Sequence, residues 1–127
     1  MILLADTNFL IYLSKYKIAH EVEKLNLKII IPSQVVKELK KKSTEGKRED
    51  KEAAHLAFIL LKEWEKRGHL SIKDTKAKSA DDAILLLALE NKGNCFVATH
   101  DKELMKKLKK AKIALIGVKQ KKFLERK

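Results

Sequence analysis

The stretch Ile2-Leu3-Leu4-Ala5-Asp6-Thr7-Asn8 passes abruptly from apolar residues to an acid, a hydroxyl and an amide. An apolar run of this length is typical of a strand that is covered on both faces, as in a parallel sheet. Asp6 then falls at the carboxyl end of the strand, where open α/β sheets place their ligands. The next segment, 9–13, is apolar enough to begin a buried helix, so capping that helix is the alternative role for Asp6 or Thr7.

Strands and helices alternate along the rest of the chain. Further strands are predicted at 27–31, 70–72, 95–99 and 113–118, and helices at 18–25, 33–39, 53–67, 79–91 and 101–110. The polar segment Lys40 to Lys51 is expected to be an exposed loop or a frayed helix end, and the residues after Val118 a lysine-rich tail.

This alternation predicts an α/β protein, a three-layer α/β/α sandwich around a five-stranded parallel sheet with right-handed crossovers. No repeat or linker divides the chain, so residues 1–127 are expected to form a single domain. The strand order 3-2-1-4-5 would make the first and fourth strands neighbours. Asp6 and the segment Thr99-His100-Asp101 would then meet at one edge of the sheet.

The chain carries a formal net charge of +12, and the excess is clustered. Residues 102–127 contain 11 basic and 2 acidic residues, and residues 37–48 contain 6 basic and 2 acidic ones. Clustering favours a polyanionic partner, with nucleic acid first and an anionic membrane surface second, over a surface that is merely solvated. The lysines expected to bind nucleic acid are Lys40, Lys41, Lys42, Lys106, Lys107, Lys109 and Lys110.

The chain shows no sign of a membrane or secreted protein. It has no apolar run near the roughly 20 residues that a transmembrane helix needs, and its N-terminal segment lacks the pattern of a secretory signal. Its single cysteine, Cys95, cannot form an internal disulfide. We therefore expect a cytoplasmic protein.

Asp6, Asp81 and Asp101 fall just past a predicted strand or at the start of the helix that follows, and Glu38 lies in the second turn of its own helix. Carboxylates that converge repel one another unless cations are present, and Mg²⁺ or Mn²⁺ prefer such oxygen ligands. An acidic metal pocket with a basic rim suits a nuclease. Each acid also fits a structural role: Asp101 as a helix cap, Ser79 and Asp82 as a capping box around Asp81, and Glu38 as a partner of Lys42.

Short segments carry a resemblance to a known family: Ala5-Asp6-Thr7-Asn8, Ile31-Pro32-Ser33-Gln34-Val35-Val36-Lys37-Glu38-Leu39, Ala80-Asp81-Asp82-Ala83-Ile84 with Ala88 and Glu90, and Val97-Ala98-Thr99-His100-Asp101-Lys102-Glu103-Leu104. In this order and spacing the chain resembles the PIN-domain ribonucleases over essentially its full length. The resemblance implies an α/β/α sandwich with strand order 3-2-1-4-5, Mg²⁺- or Mn²⁺-dependent cleavage of single-stranded RNA, and a homodimer.

The resemblance also implies roles for particular residues. The catalytic and metal-binding acids of the family fall on Asp6, Glu38, Asp81 and Asp101, and its supporting polar positions on Asn8 and Thr99. Asp82, next to Asp81, and Glu103, near Asp101, are further candidates; Asp81 is preferred because the acid of the family precedes an isoleucine by three residues, as Asp81 precedes Ile84. The segments look closest to small archaeal PIN proteins and eukaryotic rRNA-processing nucleases, and toxin-type PIN proteins, which pair with an antitoxin, share the pattern.

Other functions compete with this interpretation. A non-catalytic RNA-binding or scaffold protein could retain the fold, although RNA binding gains nothing from a negative pocket. A haloacid-dehalogenase-type phosphatase would need a second aspartate where Asn8 stands, and a phospho-receiver domain would need paired acids at the first strand. The four histidines show no metal-ligand spacing, and only His100 lies where it could touch a substrate.

Overall fold

A computed structural model describes all residues, 1–127, and contains one six-stranded sheet of order β3-β2-β1-β4-β5-β6. Its strands are β1 Ile2–Ala5, β2 Lys28–Pro32, β3 Leu70–Lys73, β4 Cys95–Ala98, β5 Ala114–Lys119 and β6 Phe123–Arg126. The pairs among β1 to β5 are parallel, and β6 is antiparallel to β5. The predicted order 3-2-1-4-5 is confirmed, with one strand added at the edge.

Six helices connect the strands: α1 Thr7–Lys15, α2 Ala19–Lys24, α3 Ser33–Thr44, α4 Arg48–Lys66, α5 Ala80–Glu90 and α6 Lys102–Lys110. The sheet grows in one direction from β1 to β3 and in the other from β4 onward, so right-handed crossovers place α1 to α4 on one face and α5 and α6 on the other. The packing agrees: α4 contacts α1 and α3, whereas α5 contacts α6.

The apolar run of β1 forms the middle of the sheet and is buried as expected of a central parallel strand. Leu4 pairs with Ile30 of β2 and with Val97 of β4. On the helical side Trp64 is buried, and its indole N–H donates to the Glu23 carboxylate at 2.9 Å, which ties α4 to α2. Trp64 is thus a core residue, as its helical spacing indicated.

The segment Lys40 to Lys51 is more regular than predicted. Helix α3 continues to Thr44 and α4 begins at Arg48, so only three residues separate the two helices. Lysines are good helix formers whose charged ends stay in water, and Ser43 and Thr44 donate to carbonyl groups one turn back as α3 ends. A loop is found only at residues 45–47, after the helix end that was the alternative; for the rest of the segment the expectation of a loop was wrong, because polarity alone does not break a helix.

The expected lysine-rich tail is also wrong, because it folds back as β6. Gln120 and Lys121 both adopt left-handed backbone conformations, with φ of 55° and 58°, and Lys122 N–H donates to Lys119 O at 3.1 Å. Two successive left-handed residues make the tight hairpin turn whose usual sequence signal is Asn-Gly. Neither residue is glycine or asparagine, so this turn could not be predicted from the sequence.

Among the helices, none combines the length and the apolar character that crossing a bilayer requires.

Candidate active site

Asp6 lies at the carboxyl end of the central strand and is almost completely buried, with 5% of its surface exposed. One carboxylate oxygen accepts the Phe9 N–H at 2.8 Å, and the other accepts the Thr99 hydroxyl. Burial raises the pKa of Asp6 to about 6; the two hydrogen bonds oppose that shift, and the charges of Asp81 and Asp101 add to it. Asp6 is therefore a carboxylate that the folded protein does not favour in its charged form.

Thr99 connects two of the predicted acids. Its hydroxyl donates to Asp6 and accepts the Asp101 N–H at 3.1 Å, and its side chain is 1% exposed. The contact arises because Asp6 and Thr99 each follow one of the paired strands β1 and β4, whose last residues, Ala5 and Ala98, are in register. Thr99 thus holds Asp6 in place beside the start of α6.

Asp81 is coupled to the largest number of acids at this edge. It is exposed in the first turn of α5, and its pKa is raised first by partial burial and then by the charges of Asp101, Glu38 and Asp82, while Lys107 lowers it. Asp6 senses both Asp81 and Asp101. The four predicted acids therefore form one electrostatically connected set, in which Glu38 joins through Asp81.

The capping roles weighed for these acids are partly realised. Asp6 caps α1, and Asp101 caps α6 by accepting the Leu104 N–H at 2.9 Å. Ser79 caps α5 by accepting the Asp82 N–H at 3.1 Å, which leaves both Asp81 and Asp82 exposed on its first turn. Capping does not by itself exclude a carboxylate from a metal site, because each of its oxygens can accept more than one partner.

Two supporting residues differ in their surroundings. Asn8 is exposed, and its side-chain oxygen accepts from Lys42 Nζ at 3.3 Å; Lys42 therefore contacts Asn8 in place of the Glu38 pairing that its spacing suggested. Glu103 is exposed on the first turn of α6. Beside Asp6, the Thr7 hydroxyl is buried without a hydrogen-bond partner, which leaves a spare polar atom next to the central acid.

The donor set fits a hard divalent cation. No three His, Cys, Asp or Glu side chains lie close enough together here to hold one ion directly. Mg²⁺, however, keeps several waters and is commonly bound through one or two carboxylates. One or two of the coupled carboxylates of Asp6, Asp81 and Asp101 could contact such an ion directly, and the others, with Glu38, could act through water.

Two grooves adjoin the acids. One, of about 740 Å³, has mixed charge, because Lys41 and Lys42 line it together with Glu38, Glu45 and Asp50. A second, of about 420 Å³, runs between α3 and the segment before α5; Glu38 lines it too, together with Lys37, Lys76 and Lys78.

The other predicted lysines lie at different distances from the acids. Lys107 is near enough to lower the pKa of Asp81. Lys106, Lys109 and Lys110 share with it an all-lysine surface of α6. Lys40 instead lies against α4, with its ammonium 5.8 Å from the Phe58 ring centroid.

Sequence reasoning gave Gln34 no role, yet it organises one side of this site. Its amide nitrogen donates to the Thr75 carbonyl at 3.0 Å, the Thr75 hydroxyl at 2.8 Å and the Ala77 carbonyl at 2.8 Å. Gln34 stands one turn before Glu38 on α3, so it fastens the segment that leads into α5 and Asp81 against the helix that carries Glu38. Its position four residues before Glu38 was the one available signal.

His100 lies inside an aromatic cluster. Its ring centroid is 5.5 Å from that of Phe9 and 4.7 Å from that of Tyr12. Burial, and then the nearby charge of Lys127, lower its pKa, so the neutral ring is favoured. His100 therefore sits beside the acids as a neutral aromatic surface.

Comparison with known proteins agrees with this fold. The profile of a PIN-like domain family matches residues 3–121. Ribonuclease VapC4 of Methanocaldococcus jannaschii is 42% identical over 127 residues, covering 94% of this chain and 92% of that protein.

Two solved structures are similar in fold. The PIN domain endonuclease Utp24 has a TM-score of 0.71 at 24% identity, covering 99% of this chain and 92% of that chain. A domain of a functionally unknown protein from Methanocaldococcus jannaschii has a TM-score of 0.63 at 22% identity, covering 93% of this chain and 91% of that chain.

Proposed function

Because the chain belongs to the PIN-like domain family, we propose that it is a metal-dependent endoribonuclease that hydrolyses phosphodiester bonds of single-stranded RNA. The observation that carries the proposal is the buried carboxylate of Asp6, with its pKa raised to about 6, coupled to Asp81 and Asp101 beside the lysine surface of α6. A relative 42% identical is a ribonuclease by name. A fold that only bound RNA would gain nothing from this concentration of negative charge.

The proposed site residues have separate roles. One or two of Asp6, Asp81 and Asp101 would bind Mg²⁺ or Mn²⁺ directly, and the remaining acids, with Glu38, would contribute through water. When bound, such a cation would supply an activated water and neutralise charge on the phosphate. Thr99 would keep Asp6 oriented through its hydroxyl, and Asn8, Asp82 and Glu103 would support the site. Lys41, Lys42 and Lys107 would position the RNA phosphates beside the acids.

The reaction proposed is hydrolysis in line with the departing oxygen. A water oxygen forms a bond to phosphorus, the bond from phosphorus to the 3′ oxygen breaks, and the proton lost by water is balanced by the one gained by the 3′ oxygen. The products are a 5′-phosphate and a 3′-hydroxyl. No histidine is required, since the bound cation would supply the activated water and the acids would hold the cation.

The proposal includes a cytoplasmic setting and two cellular roles that share this chemistry, a toxin paired with an antitoxin and a nuclease of rRNA processing. A homodimer and an antitoxin are the protein partners that these roles imply. Copurification with the neighbouring gene product tests for an antitoxin, and size-exclusion chromatography with light scattering tests for a homodimer.

The test is cleavage of an end-labelled single-stranded RNA with Mn²⁺, with EDTA, and with the Asp6→Asn variant. We expect the wild type to cleave with Mn²⁺ and not with EDTA. The cleavage rate of Asp6→Asn should fall by orders of magnitude, because one charge is lost from the metal-binding set. Asp74→Asn, which removes an aspartate outside this set, is the matched control and should cleave normally. Cleavage that persists in EDTA would contradict the proposed mechanism.

A non-catalytic RNA-binding protein is the second candidate, and the wide spacing of the acids is the observation that favours it. It predicts tight RNA binding with no cleavage and no Mn²⁺ binding by calorimetry. A Mn²⁺ isotherm that disappears in Asp6→Asn would exclude it.

A further inference from the structure

Three partly exposed rings form a continuous row that leads away from the acids. His100 stands between Thr99 and Asp101, its ring centroid is 4.7 Å from that of Tyr12, and Tyr12 is 4.4 Å from Tyr16. Buried Phe9, whose N–H donates to Asp6, supports the inner end of the row at 5.5 Å from His100. We call His100, Tyr12 and Tyr16 the aromatic row.

Cations flank both ends of the aromatic row. The ammonium of Lys121 lies 4.9 Å from the Tyr16 ring centroid and that of Lys15 lies 5.9 Å from it. At the inner end Lys127 lies close enough to act on the pKa of His100. Its side chain occupies the space that a Cβ on Gly117 would fill, so the absence of a side chain there lets Lys127 lie across β5.

The row opens into a groove of about 550 Å³ at its outer end. Tyr16 lines this groove with Lys24, Lys121, Lys122 and the half-exposed Phe123. Its one acid, Glu21, accepts from Lys24 at 2.8 Å and is therefore already paired. The hairpin between β5 and β6 supplies Lys121, Lys122 and Phe123, so this groove exists only because the chain folds back after β5.

From this arrangement we propose that the aromatic row and the groove at its end bind unpaired nucleobases of the RNA strand that enters the acidic site. The inference rests on the proposed function and adds a specificity device to it. Bases stack on aromatic faces whatever their sequence, and lysines beside the rings take the accompanying phosphates. Lys121 moves from the Tyr16 ring to a phosphate when a base occupies the ring face.

This geometry predicts a preference for single strands. A duplex keeps its bases stacked on one another, so only an unpaired strand can present base faces to Tyr16 and Tyr12. A protein segment in the groove would use Phe123 and the lysines but would have no need of a row that reaches the acids. The aromatic rings, rather than the positive charge alone, therefore favour an RNA strand over a protein segment as the occupant.

The experiment measures RNA binding by fluorescence anisotropy in EDTA, so that cleavage does not interfere. Wild-type protein is titrated with a labelled single-stranded RNA, the same RNA with abasic sites, and a duplex of equal length. We expect the abasic RNA to bind about 5-fold or more weakly than the intact strand, because it keeps the phosphates and loses the stacking faces. This comparison needs no variant and does not depend on any variant's folding.

Three variants locate the effect. Tyr16→Leu should weaken binding of intact RNA about 5-fold or more and leave binding of abasic RNA unchanged, whereas the matched Tyr16→Phe should behave as wild type. Lys121→Gln should lower the dependence on salt equally for both RNAs, because it removes a phosphate contact and no base contact. Thermal melts establish that each variant is folded.

The outcomes separate this inference from the proposed function. Equal binding of intact and abasic RNA by wild type, or an unaltered affinity in Tyr16→Leu, would overturn the aromatic row as a base site while the nuclease proposal survives. Wild type that binds none of these RNAs would remove both. If Tyr16→Leu loses affinity for intact RNA and keeps its affinity for abasic RNA, the inference is supported even where cleavage is slow.

Discussion

At the scale of single residues, Asp6 performs two tasks that conflict. As the cap of α1 it stabilises the helix through the Phe9 N–H, but its burial beside two other acids disfavours the charge that a metal ligand needs. The sequence predicted its position, since a polar residue directly after an apolar strand is a strong signal. The balance between cap and charge depends on desolvation, which only the packed structure reveals.

The stability of the metal-free protein should therefore depend on Asp6 and on pH. The pKa of Asp6 rises from 3.8 to about 6 on folding, so the folded state holds a proton that the unfolded chain releases. The contribution of Asp6 to the free energy of unfolding is unchanged below about pH 3.8. It falls as the pH rises from about 4 to about 6, and stays lower above that by roughly 3 kcal/mol. Asp6→Asn cannot lose that proton and should remove this dependence.

Urea unfolding in EDTA at pH 4 and pH 7 measures the effect. The gain in unfolding free energy of Asp6→Asn over wild type should be larger at pH 7 than at pH 4, by up to about 3 kcal/mol. Asp74→Asn, which also converts one aspartate to asparagine but outside the acidic set, is the control. A gain from Asp6→Asn that is the same at both pH values would show that Asp6 is ionised without penalty.

At the scale of elements, the helix α3 and the segment before α5 are joined by the side chain of one residue. Gln34 makes three hydrogen bonds to Thr75 and Ala77, and Glu38 follows it by one turn. The sequence could not predict this contact because the acceptors are mainly backbone carbonyls of a polar segment about 40 residues away. Periodicity predicts which face of a helix is apolar, and it says nothing about which loop a polar side chain reaches.

Gln34→Ala should destabilise the protein by about 1 to 2 kcal/mol, because it leaves these acceptors unpaired. The Ala77 amide, which donates to the Thr75 hydroxyl at 3.3 Å, should exchange its hydrogen faster. In a double-mutant cycle with Thr75→Ala, the two effects should be less than additive, by at least about 0.5 kcal/mol. Strict additivity, with unchanged exchange, would mean that Gln34 does not hold the segment.

The limits of some helices and strands were mispredicted, and the reason also lies at the scale of elements. The strands β1 and β4 are apolar and bounded by polar residues, so their type and limits were predictable. The end of α3 and the whole of β6 are not marked in this way: lysines serve helices and loops alike, and the turn at Gln120 and Lys121 uses left-handed backbone without glycine. Pairing with β5 stabilises β6, and pairing is a tertiary property.

At the scale of the whole molecule, the positive charge is arranged around the acids and not only spread over the surface. Lys41 and Lys42 share a groove with Glu38, and Lys107 acts on Asp81. In contrast, α4 ends just before β3 begins, so Lys62 and Lys66 lie toward the amino edge of the sheet, opposite the acids. Clustering in the sequence predicted a basic face, whereas the fold determines which lysines share the edge of the acids.

RNA binding should follow this placement. Each Lys contact with a phosphate of single-stranded RNA releases counterions and contributes about 0.7 to the slope of log affinity against log salt. The double variant Lys106→Gln/Lys107→Gln should therefore lower the slope by up to about 1.4, for every RNA sequence alike. Lys62→Gln/Lys66→Gln removes the same charge from the opposite edge and should leave the slope close to that of wild type.

Anisotropy titrations in EDTA between low and moderate salt provide the slopes. EDTA matters because Lys107 lowers the pKa of Asp81, so its loss would also alter metal binding and confuse a measurement based on cleavage. Equal reductions in the two double variants would mean that only the net charge of +12 attracts RNA. A reduction confined to Lys106 and Lys107 would place the phosphates along the middle of α6, because counterion release reports direct contacts while long-range attraction is screened within about 10 Å at 0.1 M salt.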